Sequence, residues 1–523
     1  MTGTQQGEDR RLASRRTAAP AGGGRGGADV AVVIGAGFGG LAAAVRLRAM
    51  GWRVVVLEAL DQAGGRARVF RRDGFTFDAG PTVITAPHLI AELFELVGRD
   101  PGDYYSLVAV DPFYRILFHD GSALDYVGDE ERLLAQFERF EPRDVDGYRR
   151  LAREAERIFD TGFTRLADQP FDRLSTMLRV VPEMARLQSW RSVHGMVARH
   201  IRDPRLRQAL TFEPLLVGGN PFSTSSIYLL IHWLERKWGV HFALGGTASV
   251  VAALVRLLAE SDVEVRFDTP VTEIEVEHGR AVAVRTGAGE RIPCALVVAN
   301  ADPSAVYTRL VAPRHRRRHT DRAVSRVRQS MGLFVGYFGT DRVYPDLAHH
   351  TIVLGPRYRA LLDDVFRRRV LADDFSLYLH APTRTDPSLA PPGCETFYVL
   401  SPVPNMRAGI DWEREAEPYF ARIRAELERR LLPGLGASMV TSFHMTPADF
   451  EHTLRSVDGA AFGPEPLLTQ SAWFRYHNRS PDVSGLYFVG AGTHPGGGIP
   501  GVLSSAKVLE RVAPRPPRAR GRA

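Results

Sequence analysis

The stretch VAVVIGAGFGGLAAAVRLRAMGWRVVVLE, residues 30–58, decides the architecture. Five β-prone residues, Val30 to Ile34, run into a glycine cluster. A small-residue helix pattern follows from Leu41 to Met50, Gly51 stops it, and a second apolar strand ends at Glu58. Gly35, Gly37 and Gly40 stand in G-x-G-x-x-G spacing, with Ala36 and Gly39 completing the loop. The first glycine permits a tight turn, the second a close backbone approach to a pyrophosphate, and the third close packing of helix on strand. Free N–H groups and the positive dipole end at the helix start favour phosphate. Glu58 lies 18 residues past Gly40, at a strand end where a carboxylate accepts both ribose hydroxyls. The glycine spacing alone is a weak signal. With a strand before it, a helix after it and an acid at the next strand end, it reads as a dinucleotide site.

Around that unit the chain is long, 523 residues, so two or three domains are expected. Its 44% hydrophobic and 24% charged content is that of an ordinary globular protein. Only Lys237 and Lys507 among the 67 basic residues are lysine, a skew read as genome composition rather than nucleic-acid binding. The net charge of +7 sits at the two ends. Residues 1–28 hold five arginines against two acids, and residues 513–523 hold four arginines and no acid. Both ends are expected to be disordered and basic. Cys294 and Cys394 show neither metal-type nor C-x-x-C spacing, which fits a reduced, cytoplasmic setting with no metal; a single disulfide is the lesser alternative. No run of 18 apolar residues exists for a membrane span, and no hydrophobic region marks a secretory signal.

Directly after Glu58, DQAGGR at 61–66 places Gly65 for close backbone approach and Arg66 as a fixed positive charge. An acid-ended strand followed by GGR resembles the two-dinucleotide-fold flavoproteins that include amine oxidases. FTFDAGP at 75–81 resembles the strand and turn, here Gly80-Pro81, that pass beside the flavin ring in that family. A hairpin is expected at 113–126, turning at Asp120-Gly121, and residues 140–200 are largely helical in pattern. There Pro182 is expected to open a helix. Val181, Met184, Leu187, Trp190, Val193 and Val197 recur at three- and four-residue steps, flanked by Arg179, Arg186, Arg191 and Arg199. Such a stripe suits either a core-facing helix or one lying on a membrane surface. Residues 216–239 read as an apolar wall or an ordinary buried helix. Val271, in a V-T-x-I strand, is placed at the adenine end by the same flavoprotein resemblance. Beyond about Pro303 the pattern becomes that of a mostly antiparallel sheet with helices. At the far end, Gly490, Gly492 and Thr493 lead into HPGGGIPG, which holds Gly498 and Ile499, and a helix is expected to start after Gly501 and run to about Val512.

No G-x-S-x-G or H-E-x-x-H occurs, and the glycine spacing at Gly22, Gly24 and Gly27 has no strand before it, so no resident nicotinamide is expected. Neither cysteine lies near the C-terminal turn, so the flavin is expected to be non-covalent FAD.

GAGFGGLAAAVRL at 35–47, FTFDAGPTVIT at 75–85, DPFYR at 111–115, NPFSTSSIYLLIH at 220–232, LTQSAWFR at 468–475 and GAGTHPGGGIPGV at 490–502 together resemble the bacterial and fungal phytoene desaturases. The likeness runs almost collinearly from residue 30 to 509. It implies an α/β fold: a Rossmann-type FAD-binding domain (29–82, 245–302 and 480–512), an α+β substrate domain (83–135 and 303–479) and a helical lid facing the membrane (136–244). Residues 1–28 and 513–523 remain outside it. It also implies desaturation of a C40 hydrocarbon, whose lack of a polar handle requires a long apolar tunnel. Further implications are peripheral attachment to the inner face of the cell membrane and reoxidation by a quinone or oxygen. The proton acceptor is not legible; His494 is a weak catalytic candidate, and the charged run at 143–157 reads equally well as a solvated face. The alternatives are a hydroxyneurosporene or C30 desaturase, an amine oxidase, or a binding protein resembling GDP-dissociation inhibitors.

Overall fold

The computed structural model describes residues 27–517. Its organising layer is a five-stranded, wholly parallel sheet in the order Leu486–Phe488, Leu296–Ala299, Val30–Ile34, Arg53–Leu57, Glu264–Arg266. Four chain segments far apart in sequence thus meet side by side. Val30–Ile34 is buried along its whole length, which is why it reads as an unbroken apolar run rather than an alternating one. The helix Phe38–Ala49 follows, buried from Phe38 to Leu47 between that sheet and the helices Thr247–Glu260 and Ile499–Val512. Small residues permit this. A Cβ on Gly40 would stand 1.9 Å from the Gly35 carbonyl oxygen, so only glycine lets helix and strand approach so closely.

A second sheet of seven strands runs Met439–Met445, Gly332–Thr340, Glu395–Val403, Leu377–His380, His350–Val353, Tyr114–Leu117, Ala123–Tyr126. All neighbours are antiparallel except His350–Val353 beside Tyr114–Leu117. The hairpin expected at 113–126 is its edge. Helices Glu130–Phe140, Arg143–Phe159 and Leu230–Trp238 pack beside that edge over a core that includes Phe137, Tyr148 and Leu151.

Buried Arg46 ties the first layer together. It donates to Glu92 at 3.0 Å and Glu510 at 2.8 Å, while Lys507 holds the other oxygen of Glu92 at 2.8 Å. Both cysteines are free thiols. The end of the chain is held as far as Pro514, whose carbonyl accepts from Trp52 Nε1 at 3.0 Å. The basic leader, apart from its last two residues, and residues 518–523 lie outside the described residues.

Three local expectations need correction. Pro182 does not open a helix; it sits inside Leu174–Arg186, whose exposed position tolerates the missing N–H. The apolar stripe from Val181 to Val197 is not one face. The helix ends at Arg186, Gln188 turns left-handed at φ +53, and Ser192 caps a separate short helix, Val193–Val197. The last helix begins at Ile499, inside the HPGGGIPG motif, because Gly498 at φ +84 turns the chain and Pro500 is tolerated in a first turn.

Candidate active site

One cavity of about 600 Å³ starts at the two glycine turns and continues between the two sheets. Gly35, Gly37, Gly39, Glu58, Gly65, Arg66, Gly80, Pro81, Val271, Gly490, Gly498, Ile499 and His494 all line it. Ala36, Gly40, Gly492 and Thr493 stand behind the wall. Their work is structural. Ala36 N–H donates to Glu58 Oε2 at 2.6 Å, Thr493 Oγ1 donates to the Tyr476 carbonyl at 2.6 Å, and a Cβ on Gly492 would meet Pro303 at 2.2 Å.

Glu58 is buried at its strand end, with Ala36 N–H on one oxygen and Leu60 N–H, at 3.0 Å, on the other. Each carboxylate oxygen has a second lone pair, so a ribose hydroxyl still finds an acceptor. Between the two glycine turns lies Asn300, a residue given no site role by its sequence. A Cβ on Gly39 would reach 2.5 Å from Asn300 Oδ1 and 3.0 Å from Gly490 N, so the turns nearly touch through it. Arg66 donates to Ser456 Oγ at 2.9 Å, and its buried Nε has no partner. Burial lowers the Arg66 pKa, with Asp302 opposing, and raises that of Asp302, with Ser304 N–H and Arg66 opposing. Arg475 supplies another unforeseen support. Its guanidinium clamps the Thr493 and Ala491 carbonyls at 3.0 and 2.6 Å, which gives the LTQSAWFR motif its physical meaning.

The turn at Ala79–Pro81 is pinned from the seven-stranded sheet. Tyr337 donates to the Ala79 carbonyl at 2.8 Å and Tyr398 to the Gly80 carbonyl at 2.9 Å. Thr82 joins Tyr398 and Tyr378 at 2.8 and 3.1 Å, and Tyr378 meets His350 Nδ1 at 2.7 Å. His349, His350 and His380 cluster here with ligand-type nitrogens within 4.8 Å of one another. No carboxylate joins them among the described residues; His349 instead bonds to Thr385 at 2.6 Å and His380 at 3.1 Å, as in a hydrogen-bonded core network. His494 is close to the second turn, with Nε2 donating to the Leu166 carbonyl at 3.1 Å; burial draws it down to about 4, so it stays neutral.

Beyond the turns the wall is almost wholly apolar. Leu215, Ile227, Leu230 and Leu234 from residues 213–238 form one side, so that segment is a cavity wall rather than an ordinary core helix. Met177, Val180 and Met184 on Leu174–Arg186 form another. Two acids belong to the wall, Glu58 and Glu235.

A dinucleotide cradle that opens into a hydrocarbon-lined cavity is the layout of a flavoprotein oxidoreductase. Residues 38–508 match the flavin containing amine oxidoreductases. The chain belongs to that family and, within it, to the phytoene desaturases. It is 51% identical over 477 residues to the lycopene-forming phytoene desaturase of Pseudescherichia vulneris, covering 91% of this chain and 97% of that one. It is 44% identical over 498 residues to the neurosporene-forming enzyme of Cereibacter sphaeroides, covering 94% and 96%. A solved structure of putrescine oxidase with bound putrescine shares the fold at TM-score 0.63 and 17% identity, covering 92% and 98%. FAD is the cofactor. The cradle fits it: backbone approach at both turns, a buried acid at the strand end, and a buried guanidinium with a free N–H.

Proposed function

We propose that this protein desaturates phytoene at a membrane surface, giving more conjugated carotenes such as neurosporene or lycopene. The observation that carries the reading is the cavity, which is continuous from the glycine turns into a wall of leucine, isoleucine, valine and methionine side chains. A C40 hydrocarbon offers no polar group to hold, so shape and length of such a wall must select it.

The residues divide the work. Gly35, Gly37 and Gly39 face the pyrophosphate, Glu58 the ribose and Val271 the adenine end. Arg66, Gly80, Pro81 and the turn at Gly490, Gly498 and Ile499 enclose the ring, with His494 a neutral polar neighbour. Ala36, Gly40, Gly492 and Thr493 hold these in place. FAD, when bound, supplies the oxidation by accepting a hydride. The apolar wall orients the polyene and excludes water. A quinone or oxygen serves as terminal acceptor. Segments 29–82, 245–302 and 480–512 form the FAD-binding domain, 83–135 and 303–479 the substrate domain, and 136–244 the lid.

Membrane attachment is supported by the lid helix Leu174–Arg186, which is apolar on two sides. Met177, Val180 and Met184 line the cavity, whereas Leu174, Leu178 and Val181 are exposed at 54%, 62% and 45%. Trp190 and Phe474 add exposed rings, Ala472–Phe474 packs against the helix, and Leu468 and Ala472 line the cavity. No described helix is long and apolar enough to cross a bilayer. An apolar mouth resting on the inner face of the cell membrane lets a lipid-dissolved substrate enter without meeting water. Expressed in cells that accumulate phytoene, the protein is expected to turn them yellow to red with loss of phytoene. Unchanged phytoene beside flavin-loaded protein would refute the assignment, and product analysis gives the number of double bonds introduced.

A further inference from the structure

A carboxyl group in the wall of a hydrocarbon cavity is costly to keep and calls for a use. Glu58, the other acid of the wall, has both oxygens engaged by backbone N–H groups. Glu235 differs. It lies on Leu230–Trp238, 1% exposed; Oε1 accepts from the Tyr114 hydroxyl at 2.6 Å, and Oε2 is buried with no partner. No arginine, lysine or histidine pairs with it among the described residues.

We propose that Glu235 is the proton acceptor of the desaturation step. This rests on the phytoene-desaturation reading. Loss of a hydride from one carbon beside an alkene leaves the substrate an allylic cation. The C–H bond on the neighbouring carbon then breaks, its electron pair becomes the new double bond, and the proton forms an O–H bond on Glu235. The two electrons leave with the hydride, and FAD, when bound, is the oxidant that takes them up. The free oxygen gives the proton a place to go, and the Tyr114 bond holds the carboxylate in position.

The surroundings make the Glu235 carboxylate a stronger base while favouring its protonated form, so it accepts a proton only after losing its own. Burial raises its pKa, Glu213 adds to the rise, and the Tyr114 bond opposes it. His232 on the same helix is engaged elsewhere, by Tyr126 at 2.9 Å, Tyr148 at 3.3 Å and Glu213 at 3.4 Å. Burial draws His232 down to about 3, with Arg236 adding, so it stays neutral and does not neutralise the acid. Arg236 itself reaches outward to the Val127 carbonyl at 2.9 Å and Glu130 at 3.7 Å. His494, another wall residue with a buried unpartnered nitrogen, holds a proton only below about 4 and is the poorer acceptor.

The test uses FAD-loaded protein and phytoene in phosphatidylcholine vesicles, following anaerobic loss of oxidised-flavin absorbance and conversion of phytoene across pH. Wild type is expected to speed up as pH rises, with a midpoint above the ordinary carboxylate range. Glu235→Gln keeps the shape and one acceptor for Tyr114. It should load FAD normally, lose on the order of 100-fold or more in rate, and lose the pH dependence. Tyr114→Phe, which removes a bond to the charged form, should move the midpoint up. Conversion by Glu235→Gln within about threefold of wild type, or retention of its pH profile, overturns the assignment. If Glu235→Gln fails to load FAD, an unmoved midpoint in Tyr114→Phe overturns it instead. Absence of conversion by wild type would overturn the phytoene reading itself.

Discussion

Two acidic residues show how position sets chemistry at the scale of single side chains. Glu58 faces the cavity at the end of Arg53–Leu57, and its value lies in the lone pairs left after Ala36 and Leu60 have bonded. Glu58→Ala removes the proposed ribose acceptor, worth roughly 1.5–3 kcal/mol per hydrogen bond to a charged group, or about 10–100-fold in affinity. Flavin absorbance per protein should therefore fall at limiting FAD; full occupancy in the variant would show that another group holds the ribose. Asp78, from FTFDAGP, is buried against the start of Thr247–Glu260. Burial pushes it up to about 7, with the Thr247 and Ala248 N–H groups pulling the other way. The unfolded chain gives up this proton near 3.8 and the folded chain keeps it until about 7. Folding thus binds the extra proton between those values, and the Asp78 contribution to stability falls as pH rises from about 4 through 7. Asp78→Asn cannot ionise, so its Tm should decline less than that of wild type over this window. Parallel Tm curves would contradict the buried, proton-holding carboxyl.

At the scale of elements, what was legible in the sequence depended on how far apart the cooperating residues lie. Residues 30–58 carry strand, turn, helix and acid within one contiguous unit, and Gly40 there answers a contact with Gly35 only five residues away. Most strands of the seven-stranded sheet were readable for the same local reason, as short β-prone runs between turns, but His350–Val353 was not. The support of the site was not. Arg475 holds a turn 16 and 18 residues away, Tyr398 reaches Gly80 across 318, and Tyr114 meets Glu235 across 121. Nothing in a periodicity reports such pairings, so Arg475 and Tyr114 appeared only inside quoted motifs without a role. Helix Leu174–Arg186 failed differently. Its apolar residues suit a core face or a membrane face, and in three dimensions it has two apolar sides, one toward the cavity and one exposed. A single-stripe reading cannot represent that.

For the whole molecule, that helix joins the cavity to the face proposed to meet the membrane. The exposed apolar set of Leu174, Leu178, Val181, Trp190 and Phe474 lies around a part of the chain that also walls the cavity, with exposed Arg173, Arg179 and Arg186 beside it. Burying a large apolar side chain contributes roughly 1.5–3 kcal/mol, and a basic residue near anionic lipid about 1 kcal/mol. The apolar part should therefore set binding to neutral vesicles, and the arginines should add a salt-sensitive increment on anionic ones. The double variant Leu178→Asp/Trp190→Asp places two charges on this face without touching the glycine turns. It should load FAD as wild type does, yet stop sedimenting with vesicles. Its turnover of phytoene held in vesicles should fall much more than its turnover of phytoene dispersed in detergent, because delivery rather than chemistry is damaged. Unchanged sedimentation would refute this face as the site of membrane attachment. An equal loss in vesicles and detergent would mean instead that Leu178 and Trp190 shape the cavity wall from outside.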